Sequence, residues 1–163
     1  MNTKLLLIAG AALTTAGTYS ASTFAASVTS TARATVIAPM TIVEVTPLNF
    51  GDVSVDAVTP GTVTMSNAGV RSATGGATAV PGGSEAVGAY TLGGVALKTY
   101  SISIPAINLQ FGAINLAATF TNNAIGTLPA ATEAIGVGGT ISLIAGQTPG
   151  LYQGDYTITV DYN

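Results

Sequence analysis

Seven carboxylates are the side chains of this 163-residue sequence best suited to acid–base or metal chemistry: Glu44, Asp52, Asp56, Glu85, Glu133, Asp155 and Asp161. A glycosidase needs two of them roughly 5–9.5 Å apart across the scissile bond. Asp155 and Asp161 share one face of an alternating segment, but six residues of extended chain separate them by ~20 Å. Asp52 and Asp56 could meet on one loop and, with backbone carbonyls, hold a weakly bound calcium ion. Beside Gly51 they read more simply as solvated turn residues. Glu85 and Glu133 lie in segments without an evident partner. The chain has no histidine and no cysteine, which removes the Ser-His-Asp triad, thiol nucleophiles and histidine- or thiolate-bearing zinc sites. No G-x-S-x-G elbow and no P-loop lysine motif occurs. "GAYTLGG" and "GVGG" are glycine-rich, but no lysine and no helix follows, so both are read as turns. The reading is therefore a non-enzymatic protein with no catalytic residue, cofactor or metal site. Tyr90, Tyr100 and Tyr152 are the aromatic candidates for a carbohydrate platform, in a chain that has no tryptophan.

The opening "MNTKLLLIAGAALTTAGTYSASTFAAS" places Lys4 before the apolar run Leu5 to Leu13, then small and hydroxyl-bearing residues. Thr23, Phe24 and Ala25 fit a small-x-small cleavage site, and the segment reads as a secretory signal peptide over 1–25. Thr14, Thr15, Thr18 and Ser20 interrupt the run well short of the ~20 residues a spanning helix needs. The expected localisation is export to the periplasm, the cell surface or the medium. Removing 25 of the 163 residues leaves 138, enough for a single domain (26–163) with its own core.

After that cleavage three basic residues (Arg33, Arg71, Lys98) face seven acidic ones, a net charge near −4. This is no footprint for nucleic acid. Charged residues make up 7% of the chain, against ~25% in an average globular protein. A surface so poor in charge suits packing against further copies.

Periodicity over the rest of the chain has period two. Val28 to Ile37 reads as one extended piece, with small apolar residues at alternate places, and Thr41 to Phe50 as a second, bent at Pro47. "PGTVTMS" puts Val63 and Met65 on one face. Ala77 to Val80 and Ala86 to Leu92 lie between the glycine pairs 75–76, 82–83 and 93–94, which read as tight turns. "TYSISIP" aligns Tyr100, Ile102 and Ile104; "AINLAATF" aligns Ile114, Leu116, Ala118 and Phe120. "TISLIAG" follows a turn at Gly136–Gly139. After a turn at Gly150–Gly154, "DYTITVDYN" sets Tyr156, Ile158, Val160 and Tyr162 on one face. Ala124 to Ile135 is alanine-rich but broken by Gly126 and Pro129. Short strands with frequent turn signals predict an all-β antiparallel sandwich with Greek-key-type connections. A transmembrane barrel would need longer strands and aromatic girdles.

"PLNFG", "GTVTMSNAGVRSATGG", "YSISIP", "VGGTISL" and "GQTPGLYQGDYTITVDYN", in this order and spacing, resemble a family of secreted bacterial β-proteins catalogued as domain of unknown function 4402. The closing segment is also similar to the last strand of chaperone–usher pilins and of spore-coat-U-like pilus subunits. That second resemblance implies an Ig-like, pilin-like sandwich whose last strand borders a groove completed by a strand from another molecule. Val28, Ala32, Ala34 and Val36 are then the donor positions, and Tyr156, Ile158, Val160 and Tyr162 line the acceptor core. The alternative is that 26–38 is the domain's own first strand. The implied function is a secreted structural subunit of a surface filament, pilus or extracellular matrix, self-associating or joining related subunits, with a periplasmic chaperone or usher as a further partner. The other reading is a secreted binding module, for carbohydrate or surface adhesion, acting as a monomer.

Overall fold

The computed structural model describes residues 25–163, and the expected signal peptide lies outside the described residues but for Ala25. Residues Val36–Asn163 form one compact unit. Residues 25–40 carry no strand, and Val28 and Val36 are 91% and 95% exposed.

The described residues contain no helix. Eleven strands follow in order: β1 Thr41–Thr46, β2 Val53–Val55, β3 Gly61–Met65, β4 Arg71–Gly75, β5 Ala77–Ala79, β6 Gly88–Gly93, β7 Tyr100–Ser103, β8 Ile107–Phe111, β9 Ile114–Asn122, β10 Thr132–Leu143 and β11 Thr159–Tyr162. Seven form one antiparallel sheet in the order β1-β6-β10-β3-β4, with β9 also on β10 and β8 on β9. β11 pairs β7 and β2 pairs β5 as separate two-stranded ladders, also antiparallel. Neighbours such as β1 and β6, or β10 and β3, are far apart in sequence, which gives the Greek-key-type crossovers of a sandwich-like fold.

β10 is the spine. Its first half, Thr132 to Val137, pairs β6; its second half pairs β3 from Gly139 and β9 from Val137. Ile135, Val137, Ile141 and Leu143 alternate along one buried face, so the sheet curls around a single side of this strand. Two apolar interiors form there. The first gathers Phe50, Val63, Met65, Leu116, Ala118, Ile141 and Leu143. The second gathers Tyr90, Leu92, Tyr100, Leu128, Ile135 and Val137. Phe120 packs against both.

Several sequence expectations change here. Gly136–Gly139 is not a turn but the middle of this twelve-residue strand. Its glycines answer a packing need: a Cβ on Gly136 would strike the carbonyl oxygen of Asn67, and one on Gly138 that of Met65. The glycines of "GAYTLGG" at 88 and 93 likewise lie within or at the end of β6. Gly150–Gly154 is an extended segment bridged through Gln153 to Gln110 rather than a turn. β2, β4 and β8 add strands that the sequence reading passed over.

A candidate strand-accepting groove

The C-terminal segment behaves as its alternation requires. Tyr156, Ile158, Val160 and Tyr162 are half-buried, whereas Asp155, Thr157, Thr159 and Asp161 are exposed. The first four pack on or beside the second interior: Tyr156, Ile158 and Val160 lie against it, and the Tyr162 hydroxyl accepts the Val95 N–H at 2.7 Å and donates to the Ala38 carbonyl at 3.3 Å.

Its backbone is less complete than its burial. Only Thr159–Tyr162 has a ladder, on β7. Continuing that register two places beyond Thr159↔Ser103 would set Thr157 opposite Pro105, which has no N–H to give. From Gly154 to Ile158 no backbone–backbone hydrogen bond is made among the described residues. Among the described residues β11 has no neighbour on its other side, and β1, at the end of the large sheet, has only β6. No ladder joins β1 to β11, yet side chains bring their ends together. The Tyr90 hydroxyl donates to Glu44 on β1 at 3.0 Å and lies 2.6 Å from the Tyr156 hydroxyl. Tyr162 reaches Ala38 just before β1. Two open strand edges thus flank one interior.

A groove continues from there between the stretch after β1 and residues 150–156. Its deep compartment, about 550 Å³, is lined by Leu48, Phe50, Val53, Leu109, Leu116, Phe120, Ile141, Tyr152 and their neighbours. Phe120 and Tyr156 stack across it, ring centroids 4.4 Å apart, and Phe111 tilts against Tyr152 at 5.7 Å. A shallower compartment of about 260 Å³ holds Glu44, Tyr90, Asp155 and Tyr156. Pro47, Leu48, Gly154 and Tyr156 border both. The acidic residues bordering the two are Asp52, Glu44 and Asp155; no lysine or arginine lines either.

Arg71 fixes one wall from behind. Its guanidinium donates to the carbonyls of Phe50 (2.9 Å), Asp52 (3.2 Å) and Val80 (2.8 Å), and pairs with Glu85 at 3.3 Å. Sequence reading did not single out this residue, since its partners lie up to 21 residues away and are mostly backbone.

The tyrosines expected as a sugar platform are not surface groups. Tyr90 and Tyr100 are 6% and 2% exposed, and Tyr152 is half-buried with its hydroxyl between Gln147 and Thr148. Burial, reinforced by the Tyr156 and Glu44 partners, pushes the Tyr90 hydroxyl far above the ordinary tyrosine range. Burial first, then the bond to Glu133, pushes Tyr100 up to about 12. Burial also raises Tyr156. All three stay neutral donors at any ordinary pH. Asp56, weighed as a calcium ligand, accepts the N–H groups of Val58 and Thr59 through one oxygen, as a loop-capping residue does.

No curated protein and no solved structure matches the chain. Residues 40–162 match a family described as "Domain of unknown function (DUF4402)", and with three quarters of its length so covered the chain belongs to that family.

Proposed function

We propose that this protein is an exported, non-enzymatic structural subunit that associates with copies of itself or with related subunits by β-strand addition, building a surface filament, pilus or extracellular matrix. The observation that carries the reading is the pair of open strand edges, β1 and the C-terminal segment, around a largely apolar groove. An edge of unpaired N–H and C=O groups is a template for a further strand, and main-chain bonding with side-chain pockets between is how strand addition gains both affinity and specificity. A low-charge surface and the lack of histidine and cysteine chemistry fit the same reading. A periplasmic chaperone or usher is the expected partner before assembly, since such a groove needs cover while the subunit is alone.

The test is deletion of Ala26 to Ile37, sparing Ala38, whose carbonyl takes the Tyr162 hydroxyl. The shortened protein is expected to melt cooperatively and to elute as a monomer where the intact protein forms multimers. Multimers that persist without the arm overturn the reading. Electron microscopy of secreting cells with and without the gene checks it in place: an unchanged surface counts against it.

A further inference from the structure

The groove and the arm, read side by side, specify more than compatibility. The arm 26–38 has 13 residues, and the segment that would take it, Gly150 to Tyr162, also has 13. Arg33 is the arm's one charged side chain and is exposed. The groove is bordered by Glu44, Asp52 and Asp155 with no basic residue. Among the described residues the one ion pair, Arg71–Glu85, leaves these carboxylates and Arg33 out.

Parity restricts the fit. Residues directly opposite in a ladder point to the same side, and a slip of one residue turns every side chain over. The inward residues of the C-terminal segment are even-numbered; so are Val28, Ala32, Ala34 and Val36. The outward residues are odd on both strands, which sets Arg33 on the same face as Asp155 and Asp161.

Four placements put Arg33 beside one of these aspartates; the parallel one on Asp161 brings Ala26 only to Gly154 and leaves the deep compartment unfilled. A parallel strand with Arg33 opposite Asp155 sends Ser30 opposite Tyr152, burying a hydroxyl in the apolar compartment at a cost. An antiparallel strand with Arg33 opposite Asp161 brings Ala38 only to Tyr156 and leaves the deep compartment unfilled. An antiparallel strand with Arg33 opposite Asp155 places Val36 opposite Tyr152, Ala34 opposite Gly154, Ala32 opposite Tyr156, Ser30 opposite Ile158, outside both compartments, and Val28 opposite Val160. Tyr156, which stacks on Phe120, then meets a small residue, a valine enters the deep compartment, and the arm's two ends coincide with Tyr162 and Gly150.

We infer that the occupant of the groove is the N-terminal arm of a second copy of this chain, antiparallel to the C-terminal segment, in the register that sets Arg33 beside Asp155. The inference rests on the strand-addition reading and deepens it. The exposed ion pair contributes little affinity; it selects the register, since the neighbouring in-parity positions, Thr157 and Gln153, offer Arg33 no carboxylate.

The absence of cysteine makes the register directly measurable. In the full-length secreted protein, Thr31→Cys with Thr157→Cys joins positions that this register sets opposite each other, at the few-ångström separation a disulfide requires. Thr35→Cys with Thr157→Cys does so for the parallel arrangement. All three threonines are exposed, so neither pair disturbs an interior. Under mild oxidation the first pair is expected to give a covalent ladder of multimers on a non-reducing gel, and the second to give none. A ladder from the second pair alone, or from neither pair in protein that still forms multimers, overturns the inference. The arm deletion reports separately on the parent reading: multimers lost on deletion with no ladder from the first pair reject this register and leave strand addition standing, whereas multimers that survive deletion reject both.

Discussion

The two interiors share β10 and Phe120 but are closed in different ways. The first is walled by the ladders of β3, β9 and β10 and opens through Phe50, Leu116 and Ile141 onto the deep compartment of the groove; its buried members are aliphatic chains, one phenyl ring and a methionine. The second contains two buried tyrosines whose hydroxyls reach carboxylates at its margin, Tyr90 to Glu44 and Tyr100 to Glu133. Its remaining wall is a segment paired over four residues only. Where ladders carry most of the wall, the buried side chains are apolar throughout. Where the wall is a segment paired over four residues, polar anchors at the margin tie the walls together.

The strongest way to break this contrast is to remove the incomplete wall. Truncation before Asp155 deletes Tyr156, Ile158, Val160 and Tyr162. Full burial of such a side chain contributes ~1.5–3 kcal/mol; half-buried, the four together contribute about 3–6 kcal/mol by the same measure. A domain is stable by ~5–15 kcal/mol in all, and the β7 ladder is lost as well. The truncated protein is expected to show no cooperative melting transition by circular dichroism; a cooperative melt would show that the second interior closes without this wall.

Next comes the shared strand. Gly138→Val forces a side chain onto the Met65 carbonyl of β3, where both strands are held by their ladders. Overpacking of this kind costs ~1–3 kcal/mol or more. Because β10 serves both interiors, the expected outcome is a lower midpoint in urea with an unchanged slope, with both regions lost together. A separate early transition would divide the molecule into two independent halves.

The smallest expected effect is on a polar anchor. Tyr100→Phe removes a 2.7 Å bond to Glu133 and is expected to cost ~1–2 kcal/mol at neutral pH. Tyr100 also sets a pH dependence. Its folded-state pKa, about 12, lies above the unfolded value of 10.0, so the native state holds its proton more tightly. The resulting stability is fully present below pH 10 and is lost as pH rises towards 12. Urea denaturation between these pH values should show a decline that is shallower in the phenylalanine variant, with Tyr90 and Tyr156 supplying what remains.

Much of the fold was legible where the information is local. Alternation at 156–162 gave the face that packs, and the spacing of Val63 with Met65, and of Leu116 with Ala118, gave buried pairs. β8 and its hairpin to β9 carried a signal too, Ile107, Leu109 and Phe111 alternating up to Gly112, whose φ is +60°; the reading passed it by. Gly136–Gly139 misled for a physical reason. A glycine cluster looks the same whether it serves a turn or a close backbone approach, and the atoms that demand it here belong to residues about 70 positions earlier. The groove was less legible still. It consists of hydrogen bonds not made between segments some 100 residues apart, and the wall held by Arg71 depends on carbonyl groups, which every residue type carries alike.

Pro105 leaves a mark that can be timed. It withholds the donor that the Thr157 carbonyl would take, and with no backbone hydrogen bond from Gly154 to Ile158 among the described residues these amides are expected to exchange with heavy water on the timescale of a frayed loop, within a domain whose β10 amides exchange only on global opening. The Asn163 N–H on the Thr99 carbonyl turns the odd-numbered amides of β11 towards β7, so the even-numbered amides from 154 to 162 face the open edge, and the arrival of a strand there would be seen as those alternate amides slowing.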